Sequence, residues 1–145
     1  MVDCSDPERI LLSVPYNYTV EMSYINNDIL NTPTAKSINT GRLNLFIQNV
    51  NNGIPDCVFI TTFGIDGPAT TSILKYDGND ITYITDNSRL SQIYGDIHSY
   101  KIKKLYTKTT NLNNLIVTSY HVIKYNNIDI IIFNDNVFIY VKRTY

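Results

Sequence analysis

The chain has 145 residues, with 12 Lys plus Arg against 13 Asp plus Glu for a net charge of −1, and with 12 Tyr, 5 Phe and no Trp. That length suits one domain, which buries roughly 68–70% of its unfolded surface and holds together by its core, and the near-neutral balance excludes a chain coated for wholesale binding to nucleic acid or anionic membrane. No run approaches the ~20 apolar residues of a membrane span.

In chain order, residues 1–14 read as a flexible N-terminal segment holding a short helix over PERILLS, 7–13, where Pro7 is tolerated in the first turn. PYNYTVEMSYI, 15–25, alternates loosely and predicts a first strand; NNDILNTPTAKSINTG is a polar connector. The clearest helix is GRLNLFIQNVNN, 41–52, because Leu43, Phe46, Ile47 and Val50 share one face. Asn39 or Thr40 caps its start and Gly53 its end. CVFITTF (57–63), TTSILKY (70–76) and ITYIT (81–85) predict an antiparallel meander, with the Asp77-Gly78 pair making the second hairpin turn. Leu90, Ile93, Tyr94 and Ile97 line one side of a minor helix near residue 90. Strands are predicted at 101–108, 114–125, 128–133 and 137–143, with Asn126-Asn127 and Asn134-Asp135-Asn136 as turns, and Ile130-Ile131-Ile132 suits a strand buried on both faces. The sum is an α+β domain: an antiparallel sheet of six or seven strands with one main helix, 41–52, packed on it.

Charge is divided unevenly. Residues 1–100 carry eleven acidic and five basic side chains, a balance of −6, and residues 101–145 carry two acidic and seven basic, a balance of +5; strand faces of opposite sign pairing in one sheet account for this. Cys4 and Cys57 match no zinc or C-x-x-C spacing, so neither metal nor cofactor is expected. With Cys4 in a mobile terminus, two unpaired cysteines are favoured over a bridge, which would close a loop worth roughly 4 kcal/mol.

The residues singled out for binding are Asp80, Asp86, Asn87 and Arg89. Arg89 beside two acidic or amide groups at a strand end is suited to bidentate capture of a carboxylate or phosphate; the competing reading has Asp86 or Asn87 capping the next turn and Arg89 in an ion pair. Asp77-Gly78-Asn79-Asp80 lacks the ligand series of a calcium loop and reads as a turn. His98 and His121 are the only imidazoles, and neither has a supporting catalytic motif, so no catalytic residue is assigned and the chain reads as a non-enzyme. Lys101, Lys103, Lys104 and Lys108 with Tyr100 and Tyr106 make the best case for nucleic acid, but no RNP, KH or zinc signature accompanies them, and lysines on a strand edge also block aggregation.

Phe46, Asn49, Val50, Gly53, Ile60, Thr61, Thr62, Asp66, Gly67, Tyr76, Asp77, Gly78, Ile81, Tyr83 and the Asp86-Asn87-Ser88-Arg89 run, with Asn27-Asp28-Ile29 upstream, follow one another in an ordered spacing. On these residues the stretch 27–89 resembles a family of small proteins from Gram-positive bacteria, domain-of-unknown-function family four-three-six-two. The likeness fades beyond residue 90. The resemblance implies an exported protein, often a lipoprotein, and no activity. Here a lipid anchor would sit on Cys4, and the expected function is a binding or accessory module at the bacterial surface that meets a protein or cell-wall component; the alternative is an intracellular inhibitor or immunity-type protein.

Overall fold

The computed structural model describes residues 4–32, 37–64, 69–86 and 97–138. The elements in chain order are α1 (Pro7–Ser13), α2 (Val20–Ile25), β1 (Ile29–Asn31), α3 (Thr40–Asn51), β2 (Asp56–Thr62), β3 (Thr70–Tyr76), β4 (Ile81–Asp86), β5 (Ile97–Leu112), β6 (Leu115–Lys124) and β7 (Asp129–Phe138). The strands form one seven-stranded sheet in sequence order. β1 pairs with β2 in parallel and every later neighbour is antiparallel, so the sheet is mixed where a purely antiparallel one was expected. The parallel step exists because α3 carries the chain from β1 back to the start of β2.

α3 lies on one face, as its apolar stripe requires: Leu43 and Phe46 are fully buried in a core with Ile29, Val58, Ile60, Leu74, Tyr83, Val122 and Phe133, and Ile47 and Val50 pack against it. The helix ends in a Schellman turn. Gly53 sits at φ 70°, its N–H donates to Val50 O at 3.2 Å, and Ile54 N–H donates to Asn49 O at 2.8 Å. At the other end Asn39 is left-handed, and its side-chain amide donates to Asn27 O rather than capping the helix.

The opposite face of β2–β4 is covered by α1, whose Leu11 packs with Cys4, Phe59, Ile73 and Ile84. The N-terminal segment is therefore docked from Cys4 onward rather than flexible. Asp6 caps α1 by accepting from Arg9 N–H at 3.3 Å. Because Cys57 and Phe59 share this face of β2, the docked terminus brings Cys4 to Cys57, and the two form a disulfide with a Cα–Cα distance of 6.3 Å. This corrects the expectation of unpaired cysteines: apolar packing by Leu11 fixes the segment that was read as mobile.

Three other expectations change. Residues 15–25 make no strand; Thr19 accepts from Met22 N–H at 3.1 Å and starts α2 in its place. Residues 128–138 are not two strands around a turn. Asn134, Asp135 and Asn136 pair with Ser119, Thr118 and Val117, so β7 runs straight through, the long partner strand satisfying a backbone whose side chains favour a turn. In β7, Ile132 is buried while Ile131 is 53% exposed, so that run lies between core and surface; burial on both faces belongs instead to Val58–Thr61 of β2. The minor helix near 90 and the strand end beyond 138 lie outside the described residues.

Candidate functional site

Of the four residues singled out for binding, Asp80 and Asp86 lie apart. Asp80 is in the β3–β4 turn: its N–H and that of Asn79 donate to Asp77 Oδ1 at 2.7 and 2.8 Å, which holds the Asp77 carboxyl below its ordinary pKa, and Gly78 has φ 102°. The Asp80 carboxylate is exposed, 4.0 Å from Lys101 Nζ, a contact worth little in water. Asp86 is buried at the far end of β4, opposite Ile97. One strand length, roughly 20 Å at about 3.3 Å per residue, divides the two, so they do not form one site. Asn87 and Arg89 lie outside the described residues.

Asp86 does line a cleft of about 290 Å³ with Asn31, Thr62, Thr70, Ser72, Tyr83 and Thr85, closed on the far side by Ile131 to Asn134 of β7. The alternation of β2, β3 and β4 puts these hydroxyls on one face, and Tyr83 OH donates to Ser72 Oγ at 3.2 Å. Burial pushes the Tyr83 phenol above its ordinary pKa.

The larger opening is at the other end of the sheet, where α3 ends and β2 begins. It is a groove of about 750 Å³ lined by Arg42, Leu45, Asn49, Ile54, Pro55, Asp56, Lys75, Tyr76 and the Cys4–Cys57 disulfide. Arg42, Leu45 and Asn49 are three and four residues apart and so share a helix face, and the Schellman turn delivers Ile54 and Asp56 opposite them. The Arg42 fork holds the Asp56 carboxylate with both ends, Nη1 to Oδ2 at 2.9 Å and Nη2 to Oδ1 at 2.5 Å, while Asn49 Nδ2 donates to Oδ2 at 2.9 Å and Cys57 N–H to Oδ1 at 2.7 Å. Burial pushes the Asp56 carboxyl up, but these donors together outweigh it and hold its pKa below the ordinary value. Arg42 is thus committed to Asp56 and acts as a fixed wall. The groove's apolar contacts come from Leu45, 46% exposed, and Ile54, 49% exposed, with Lys75 and Asp77 at the rim. A cavity of this size, with apolar side chains between a few fixed polar groups, is the ordinary form of a ligand site.

Two polar clusters, one buried and one at the surface, are not evident from the sequence. Asp28, between α2 and β1, is 2% exposed and accepts from Tyr18 OH, Thr61 Oγ1 and Asn26 Nδ2, each at 2.8 Å. Burial outweighs these neutral donors and raises its pKa, and burial together with the Asp28 contact raises that of Tyr18. On the sheet's other half, Asp129 bridges Tyr106 OH and His121 Nδ1, the latter at 2.8 Å, which holds the Asp129 carboxyl below its ordinary range. The imidazole stacks on the Tyr106 ring at 4.6 Å, and its Nε2 is buried without a hydrogen-bond partner. His98 is on β5, stacked near Tyr100 at 6.1 Å. Among the described residues no group of three or more His, Cys, Asp or Glu is placed to hold a metal, and no helix is long and apolar enough to cross a membrane.

Comparison with family models, with curated proteins and with solved structures finds no match to this chain.

Proposed function

We propose that this protein is a non-enzymatic binding module that holds its ligand in the groove between α3 and the β2–β3 end of the sheet. The observation that carries the reading is the pairing of exposed Leu45 and Ile54 with a rigid frame, the Arg42–Asp56–Asn49 bonds on one side and the Cys4–Cys57 disulfide on the other. Ordered walls lower the cost of ordering a ligand, and aliphatic side chains inside a polar rim are the anatomy of a recognition surface. The non-enzymatic part is supported by the imidazoles: His121 presents a buried Nε2 and commits Nδ1 to Asp129.

An extracytoplasmic location is supported by the disulfide, since such bonds persist in oxidising compartments. A lipid thioether on Cys4 would need the sulfur that is bonded to Cys57, so the module is exported without an anchor at that residue. The intracellular inhibitor reading is favoured by one observation, the absence of any acidic side chain from residue 97 to 128; a native protein with two free thiols and unchanged melting would favour it over export. Calorimetric titration with soluble peptidoglycan fragments and with short peptides carrying aliphatic or aromatic side chains tests the binding claim. Saturable heat is expected from at least one class, falling at least tenfold in a Leu45→Asp/Ile54→Asp protein that melts like the wild type; binding that survives those substitutions contradicts the groove.

A further inference from the structure

β5 is the longest strand, with 16 residues, but β4 covers only its first part. The β4–β5 register ends at Ile81 opposite Ile102, and from Lys104 to Leu112 the strand pairs with β6 alone. Among the described residues, no backbone group pairs with the other edge of β5 between Lys103 and Leu112. The ladder also shifts register between Ile102 and Lys104, an irregularity that bends and twists a strand, at the point where β4 stops. The open edge extends for roughly 30 Å at about 3.3 Å per residue. Unpaired N–H and C=O groups over such a length are a template for an added strand.

The charge on this stretch says which strand fits. Residues 97–128 contain five Lys and neither Asp nor Glu, and Lys103, Lys104 and Lys108 are exposed beside the open edge. A second copy's β5 would set lysine against lysine, and like charges across a strand pair destabilise it. A second copy's β7 is already drawn toward its own β1, with Asp135 accepting from Ser37. Single-stranded nucleic acid needs free aromatic faces on which bases stack. Here Lys124 Nζ lies 3.8 Å from the centre of the Tyr100 ring, and the Tyr106 ring is stacked on His121 with Lys104 Nζ 5.6 Å from its centre. The aromatics of this surface are engaged, whereas its backbone edge is unpaired among the described residues and Lys103, Lys104 and Lys108 remain exposed to solvent.

We propose that the Lys103–Leu112 edge of β5 is a second binding site, separate from the groove, that takes an extended acidic peptide segment by strand addition, its carboxylates meeting Lys104 and Lys108. The peptide's backbone supplies the hydrogen bonds and the lysines select an acidic partner while opposing self-pairing.

The probe is a fluorescently labelled ten-residue peptide alternating Glu with Thr and Val, followed by anisotropy as the full chain is added. Two further versions carry N-methyl groups on the odd or on the even residues, because alternate N–H groups of an added strand face its neighbour. Saturable binding is expected, reduced at least tenfold in one methylated version and much less in the other, and reduced at least tenfold in a Lys104→Glu/Lys108→Glu protein with wild-type melting. If that variant fails to fold, the Lys104→Gln/Lys108→Gln protein makes the same comparison with a smaller expected loss. Four results overturn the proposal: no saturable binding, equal binding by both methylated peptides, tighter binding of an oligothymidylate than of the peptide, and a concentration-dependent dimer that excludes the peptide.

Discussion

At Asp56 the donors from Arg42, Asn49 and Cys57 hold the folded-state pKa below the unfolded one, while at Asp28 burial raises it. The two carboxyls therefore act on stability with opposite signs. The contribution of Asp56 is present above the unfolded carboxylate value, about 3.9, and is lost as pH falls through its depressed folded pKa. That of Asp28 is present below about 3.9 and is lost as pH rises through its raised folded pKa. Asp56→Asn is expected to cost about 1.5–3 kcal/mol at neutral pH, the range for hydrogen bonds to charged groups, with the deficit closing in acid. Asp28→Asn leaves an amide oxygen for Tyr18 and Thr61, and its stability relative to wild type is expected to rise as pH increases from 3 to 8. Melting temperatures across that range check both signs, and parallel curves for the two variants would contradict them. Gly78 gives a third residue-scale test. A Cβ there would meet Pro55 Cγ at an ordinary 3.6 Å, so space is available, but φ is 102°. Gly78→Val is expected to cost about 1–3 kcal/mol from backbone strain alone, read as a lower midpoint in urea; an unchanged midpoint would mean that the turn adopts another conformation.

Among the elements, α3 was legible because its apolar residues keep the 3.6-residue period, and β2 to β4 because Asp77-Gly78 marks the turn between two runs that fit opposite each other in register. α2 was not. Its Tyr and Val residues favour strands, yet Thr19 supplies a helix cap and only Ser23 is buried, so local capping decided a segment with little core to fill. β7 was misread for the converse reason: Asn134 to Asn136 favour a turn, but β6 offers their backbone a continuous ladder, and tertiary pairing overrules local preference. The Asp77 to Asp80 turn could be read locally, since its bonds span two and three residues. The groove could not: Arg42 and Asp56 meet only through the geometry of the Gly53 turn, and Cys4 reaches Cys57 only because Leu11 docks α1. The disulfide is the element-scale prediction. It closes a 53-residue separation, and its removal by Cys4→Ser/Cys57→Ser is expected to cost up to roughly 4 kcal/mol in the chain-entropy model, seen as a large drop in the urea midpoint, while a variant as stable as wild type would show that the bond does not constrain the chain.

For the whole molecule, the sheet has helices on part of each face: α3 on the side of the main core, α1 over β2 to β4 on the other. That arrangement leaves the groove at one end of the sheet, the hydroxyl-lined cleft near Asp86 at the other, and the far half of β5 reaching past β4. Asp80 belongs to a turn and Asp86 to a strand end, and the proposed ligand groove lies instead at α3 and the start of β2. Placement of the bound ligand is the most direct check on the groove. Amide chemical-shift mapping with the tightest probe from the calorimetric series is expected to show the largest changes at Leu45, Asn49, Ile54 and Lys75, with residues of β6 and β7 unmoved. Changes concentrated around Thr70, Ser72 and Thr85, or spread evenly over the sheet, would contradict the account.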